Sequence, residues 1–218
     1  MTYKEKFIKF MSDSGALLFG DFTLKSGRIS PYFINVGNYN NGAEISKLGR
    51  FYAECILDNK IEFDTVFGPS YKGIPLCVST VIALNNYFDL KASYCFNRKE
   101  GKSHGEGGIF VGKPPSGSDK VVVIDDVSTS GKALREVLPL LKNVQVTGFV
   151  ITVDRMEKSL NSEKSAAEQI YSEFKIPVYS IINMDDIVSA IENEAIPGKN
   201  YLTSMKEYRK IYGTGNAL

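Results

Sequence analysis

Apolar residues at positions 3, 7, 8, 10 and 11 fall on one helical face, so the pattern predicts a helix over 3–11. Two short β-like runs follow in FTLKSGRISPYFINVG, where Gly27 and Pro31 read as turn signals. Helical spacing returns over 44–57, and Asp64 precedes the short apolar run TVFG. Pro75 stands where a helix can start, ahead of LCVSTVIALNN, and SYCFN at 93–97 reads as a strand. After the turn KPPSGSD, the run KVVVID at 120–125 is continuously β-branched and not alternating, the mark of a strand buried on both faces. The theme then repeats: a helix over 131–142, a strand over 146–153, a helix near 163–174, the strand VYSIIN and a helix near 185–192.

Strand alternating with helix predicts an α/β fold, a central parallel sheet flanked by helices on both faces. Ligands of such sheets bind beyond the C-terminal ends of the strands, which fixes where to look for chemistry. No internal repeat or low-complexity linker interrupts the pattern, so residues 1–218 read as one domain. The first 40 or so form a small N-terminal flap or hood.

Composition narrows this reading. A chain of 218 residues can bury about 70% of its unfolded surface and needs no disulfide or metal to fold. With 26 Lys+Arg against 25 Asp+Glu and a pI near 7.6, the chain lacks the basic excess of a nucleic-acid binder. Cys55, Cys77 and Cys95 form no CxxC pair, and His104 is the single histidine, so no zinc set is legible. An odd, dispersed set of cysteines points to a reducing compartment. No apolar run approaches the 18 residues of a membrane span and the N-terminus has no signal-peptide core, so a soluble cytoplasmic protein is expected.

Three segments carry chemistry. The first is VVVIDDVSTSGKALR at 121–135, a buried strand ending in two adjacent carboxylates. Burying both charges without partners costs several kcal/mol, so Asp125 and Asp126 are expected at the open strand end, where they can accept hydrogen bonds from vicinal hydroxyls. The Ser128–Thr129–Ser130–Gly131 turn leads into a helix and offers backbone N–H groups to a terminal phosphate. A sugar phosphate satisfies both halves; the competing reading is an elaborate helix N-cap.

The second segment, 98–108, holds Arg98, Lys99, Lys102, His104 and four glycines with no hydrophobic anchor. It reads as a mobile loop able to close over an anion, or as a solvated hairpin tip. The third, GPSYKGIP, is a tight strand-to-helix turn placing Tyr71 and Lys72 near a second helix start. Two anion sites at two strand ends suit a ligand with phosphates at opposite ends. Within 107–113, GGIFVGK matches seven places of the nucleotide-phosphate loop, but Pro114 replaces the Ser/Thr that would hold magnesium, and no strand-to-helix switch follows.

VVVIDDVSTSG resembles the ribose-phosphate signature of the type I phosphoribosyltransferases. Together with TLKSGRISPYF, FGPSYKGIP, FNRKEGKSHGEGG and VDR at 153–155, it resembles the orotate phosphoribosyltransferases within that family, from about residue 15 to the C-terminal YRKIYG. The resemblance implies that Asp125 and Asp126 bind the ribose hydroxyls of 5-phosphoribosyl 1-diphosphate. Val127, Ser128, Thr129, Ser130, Gly131, Lys132 and Ala133 would hold its 5′-phosphate. Lys25, Tyr71, Lys72, Arg98, Lys99, Lys102 and His104 would surround its diphosphate, with Lys102 as the catalytic cation beside Asp125 and Asp126. Phe33, Ile34, Thr129 and Arg155 would contact orotate, whose carboxylate suits a guanidinium fork; without the family context, Arg155 reads as a strand-end surface ion pair.

The resemblance further implies Mg²⁺ carried mainly on the diphosphate, ribose and water oxygens, with no direct protein ligand. It implies a homodimer whose 98–108 loop acts in trans, with no nucleic-acid or membrane partner. Two other readings stay open on the residues alone. One is a purine or uracil phosphoribosyltransferase, which would not need Lys25, Phe33 and Arg155 together. The other is a non-catalytic sensor of the same sugar diphosphate.

Overall fold

The structure, a computed structural model, describes residues 1–102, 108–127 and 131–214, with backbone alone at 101–102. Eight strands and seven α-helices are formed among them. The chain starts with α1 (Tyr3–Asp13), capped by reciprocal Thr2 and Glu5 hydrogen bonds, and continues into a separate antiparallel hairpin of β1 (Leu17–Thr23) and β2 (Ile29–Ile34). Gly27, at φ 81°, makes the turn as expected, but Pro31 lies inside β2. A two-stranded hairpin is all edge, so proline's missing N–H breaks no ladder there.

The main sheet is built from β3 (Thr65–Gly68), β4 (Ser93–Lys102), β5 (Gly108–Gly112), β6 (Lys120–Ile124), β7 (Gln145–Asp154) and β8 (Val178–Asn183). Its order is β5-β4-β3-β6-β7-β8. Every neighbouring pair is parallel except β4 and β5, which run antiparallel at one edge. The expected parallel sheet is thus mostly so, and it carries one antiparallel edge strand.

The hairpin also corrects the reading of 98–108 as a loop from its first residue. Residues 98–102 continue β4, because β5 returns beside them and the Arg98 guanidinium donates to the Gly108 and Phe110 carbonyls. Gly112, at φ 88°, is forced by close approach: a Cβ there would stand 2.3 Å from the Tyr94 carbonyl oxygen.

Period-two alternation divides the buried strands between two cores. Val122 and Ile124 of β6 face a large cluster with Leu48, Tyr52 and Ile56 of α2 (Gly42–Asp58) and Leu84 of α3 (Gly73–Phe88). Val121 and Val123 face the other, with Leu134 of α4 (Lys132–Val137) and Ile170 of α5 (Ala166–Phe174). The helix expected over 131–142 tightens to a 3₁₀ turn at Leu138–Leu141, where Pro139 removes a donor. The one expected from 163 begins only at Ala166, since Ser165 and Glu168 form its capping box. Beyond α6 (Met184–Glu192), the sequence reading omitted α7 (Leu202–Tyr212), which buries Met205, Tyr208 and Arg209. No helix among the described residues is long and apolar enough to cross a membrane.

Candidate active site

From β3 the chain crosses to β4 on one side and later to β6 on the other, so the connections diverge between β3 and β6. A crevice opens at such a divergence, at the C-terminal strand ends. Both glycine-containing loops seen in the sequence emerge there.

After β3, Gly68 and Gly73 approach so closely that a Cβ on Gly68 would stand 2.1 Å from the Gly73 carbonyl oxygen. Between them Pro69–Lys72 makes a tight turn that includes a cis Ser70–Tyr71 peptide. The Ser70 N–H donates to Asn97 Oδ1 at 3.0 Å, and its hydroxyl donates to the Asn97 carbonyl, tying the turn to β4. Tyr71 is left exposed, with Lys99 Nζ 5.4 Å from its ring centroid. Arg98, Lys99 and Ala133 are brought to one cavity of about 230 Å³ together with Ser70 and Glu136.

After β6 come the paired carboxylates. Thr152 of β7 donates its N–H to the Asp126 carbonyl at 2.8 Å, and Tyr52 donates its hydroxyl to the Asp125 carbonyl at 2.6 Å, so neither backbone can swing away. Lys72 Nζ forms an ion pair with Asp126. Asp125 is buried, and burial together with the adjacent Asp126 charge pushes its pKa up to about 6, against the lowering effect of the Asp126 backbone N–H and Lys72. A cation beside the pair would relieve that repulsion. Among the described residues, no group of three His, Cys, Asp or Glu is arranged to hold a metal itself.

Gly131, at φ 68°, begins α4, and a Cβ there would stand 2.9 Å from Ile170. Lys132 pairs with Glu136 at 3.8 Å on the exposed face of α4. Val127 and Ala133 are described on either side; Ser128, Thr129 and Ser130 lie outside the described residues, as do His104 and the Lys102 side chain.

Arg155 follows the last residue of β7, the strand beside β6, and so stands at the same end of the sheet. Its side chain is only 12% exposed, so it is no surface ion pair. The guanidinium carbon lies 4.5 Å from the Tyr32 ring centroid, and Nη2 donates to Ser30 Oγ at 3.3 Å. Nε and Nη2 donate to Glu157 Oε1 at 2.9 and 2.7 Å. Burial works against the charged guanidinium, but Tyr32 and Glu157 outweigh it and hold the pKa above the ordinary arginine value.

On the hairpin, Phe33 stacks on Phe22 at 5.4 Å, while its neighbour Ile34 packs into the larger core. Successive strand residues face opposite ways, so these two do not line one surface. Lys25 is exposed in the hairpin turn. The sequence reading missed Tyr32, Tyr52, Asn97, Thr152 and Glu157. Tyr32, Asn97 and Glu157 stand within two residues of the predicted Phe33, Arg98 and Arg155, whereas Tyr52 is far from any predicted site residue.

Comparison with known proteins agrees with this architecture. Residues 35–179 match the phosphoribosyl transferase domain family. The chain is 45% identical over 215 residues to an orotate phosphoribosyltransferase of Pseudomonas syringae pv. tomato, covering 97% of this chain and 99% of that one. It is 46% identical over 213 residues to that of Haemophilus ducreyi, covering 97% and 98%. The crystal structure of the Francisella tularensis orotate phosphoribosyltransferase superposes with a TM-score of 0.87 at 38% identity, covering 96% of this chain and all of that one. A crevice served by two adjacent strand ends, on a chain that matches these relatives over almost its whole length, places the protein among the orotate phosphoribosyltransferases.

Proposed function

We propose that the protein transfers the phosphoribosyl group of 5-phosphoribosyl 1-diphosphate to a ring nitrogen of orotate, releasing diphosphate and forming orotidine 5′-phosphate for UMP synthesis. The observation that carries this is the placement of Asp125 and Asp126 beyond β6 and of Arg155 beyond neighbouring β7. One strand end offers acceptors for ribose hydroxyls; the next offers a largely shielded guanidinium for a carboxylate.

Bond formation from the nitrogen to C1 and departure of diphosphate on the opposite face invert that carbon. The transition state has oxocarbenium character, as at other glycosidic centres, so the departing negative charge needs stabilising. Lys72 and Lys99 flank the turn after β3, where the leaving group would lie, and Lys102 and His104 complete the cationic set. Asp125 and Asp126 orient the ribose, and the 127–133 turn receives the 5′-phosphate. Mg²⁺ would be held mainly through substrate and water oxygens, with Asp125 and Asp126 beside it, and would supply neutralisation of diphosphate charge. Exclusion of water by the 98–108 segment protects the reactive sugar from hydrolysis. Arg155 and the hood residue Phe33 select the base, with Thr129 and Lys25 contributing from the phosphate turn and the hairpin, while Ile34 supports Phe33 from the core side of the strand.

The working unit in this reading is a cytoplasmic homodimer in which the 98–108 segment serves the neighbouring subunit. The three cysteines are buried free thiols, which suits a reducing compartment. Mixing an inactive Lys102→Ala protein with an inactive Asp125→Asn protein is expected to restore part of the activity; no recovery in mixed dimers contradicts shared sites. An ultraviolet assay with orotate, the sugar diphosphate and magnesium tests the activity itself. Turnover with orotate and none with uracil or hypoxanthine is expected, and turnover with hypoxanthine alone would replace this reading with a purine one.

A further inference from the structure

Glu157 lies two residues beyond Arg155, outside the strands, yet its carboxylate is the most heavily used in the described structure. Oε1 accepts from Arg155 and from the Tyr32 hydroxyl, the latter at 2.6 Å. Oε2 accepts from the Tyr208 hydroxyl at 3.2 Å and faces Arg28 Nη1 at 3.7 Å. The side chains of Arg28, Arg155 and Glu157 are each less than 15% exposed, so these contacts are little screened by water. One carboxylate therefore answers two guanidiniums and two phenols from four parts of the chain: the hairpin turn, β2, the end of β7 and α7.

The consequence for Arg155 is directional. A guanidinium has five N–H donors in a fixed plane, and Glu157 takes the Nε–Nη2 edge. Stacking on Tyr32 fixes the plane, and the Ser30 contact at Nη2 fixes its rotation. Glu157 and Ser30 engage Nε and Nη2 only, which leaves the Nη1 side of the plane to meet a ligand. We infer that Glu157 is the positioning residue of the orotate site, holding Arg155 by one edge so that Nη1 is presented to the substrate carboxylate. The same side chain fastens α7 and the hairpin turn to that guanidinium: Arg28 also donates to the Lys158 carbonyl at 2.9 Å and stacks on Tyr212 of α7 at 4.6 Å. The inference rests on the reading that Arg155 recognises the orotate carboxylate.

Glu157→Gln preserves the shape but removes the charge. It is expected to raise the KM for orotate about tenfold, while the KM for 5-phosphoribosyl 1-diphosphate stays within about twofold and kcat within about threefold. In an Arg155→Ala background the same change should have no further effect on orotate KM, because Glu157 acts through Arg155. Tyr208→Phe, a milder change that keeps the Arg155–Glu157 pair, should raise orotate KM about twofold and serves if Glu157→Gln does not fold. An unchanged orotate KM, a parallel rise for both substrates, or additive effects with Arg155→Ala would overturn the inference. If Arg155→Ala itself leaves orotate KM unchanged, the assignment of Arg155 has failed first; if it raises orotate KM and Glu157→Gln does not, Glu157 alone is excluded.

Discussion

The ends of β6 and β7 lie side by side, yet they are electrostatic opposites. At the end of β6, two adjacent carboxylates share one cation, Lys72, whose side chain is 72% exposed, and Asp125 is driven toward protonation by burial and by its neighbour. At the end of β7, Arg155 and Glu157 are each only 12% exposed and are held by Ser30, Tyr32, Tyr208 and Arg28. The first site is unfinished and needs positive charge and hydroxyl donors from what binds there. The second is assembled beforehand and needs only an anion at one guanidinium edge. A highly charged, cation-carrying sugar diphosphate suits the first, and a planar monocarboxylate suits the second.

The contrast can be broken most severely through charge supplied to the unfinished side. Lys102→Ala is expected to lower kcat about 10²- to 10³-fold, the usual scale for removing one stabiliser of developing charge, with orotate binding changed less than about twofold. Steady-state kinetics beside an orotate titration would check it, and an unchanged turnover number removes Lys102 from the chemistry.

A smaller effect follows from Asp125. Its folded pKa of about 6 lies above the unfolded value, so its contribution to stability is present below about pH 4 and lost as pH rises through about 6. Asp125→Asn escapes that loss. In urea unfolding without ligand, the variant should gain about 2 kcal/mol on the parent between pH 4 and 7, while binding the sugar diphosphate poorly. A stability difference that does not change with pH would mean that the carboxylate pair is not strained.

The smallest change is expected from Lys72→Ala. Its exposed pair contributes less than about 1 kcal/mol to folding, so the melting temperature should barely move, while the KM for the sugar diphosphate rises several-fold. A large loss of stability would show the pair to be structural.

How far the sequence revealed all this differs between the same two strand ends. Asp125 and Asp126 were legible because one contiguous run carries the buried strand, both acids and the following turn. The Arg155 environment was not, because apart from Glu157 its partners lie far off in sequence: Ser30 and Tyr32 more than 120 residues before it, Tyr208 more than 50 after it. Folding alone brings them together. The strand over 98–102 and β5 escaped for a related reason: an edge hairpin needs little apolar patterning when cross-strand hydrogen bonds and Arg98 hold it. In α7, apolar residues at 202, 205, 208 and 212 were a usable helical signal that went unread.

Orotate differs from uracil by one carboxylate, so the ratio of kcat/KM for the two bases measures what Arg155 contributes. Comparing that ratio between the parent and Arg155→Ala tests most directly whether the end of β7 is a carboxylate-reading base site. The expected result is a preference for orotate that falls about 10²-fold or more in the variant, as loss of a buried charge-assisted pair requires, with the KM for the sugar diphosphate little changed. An equal ratio in both proteins would contradict it.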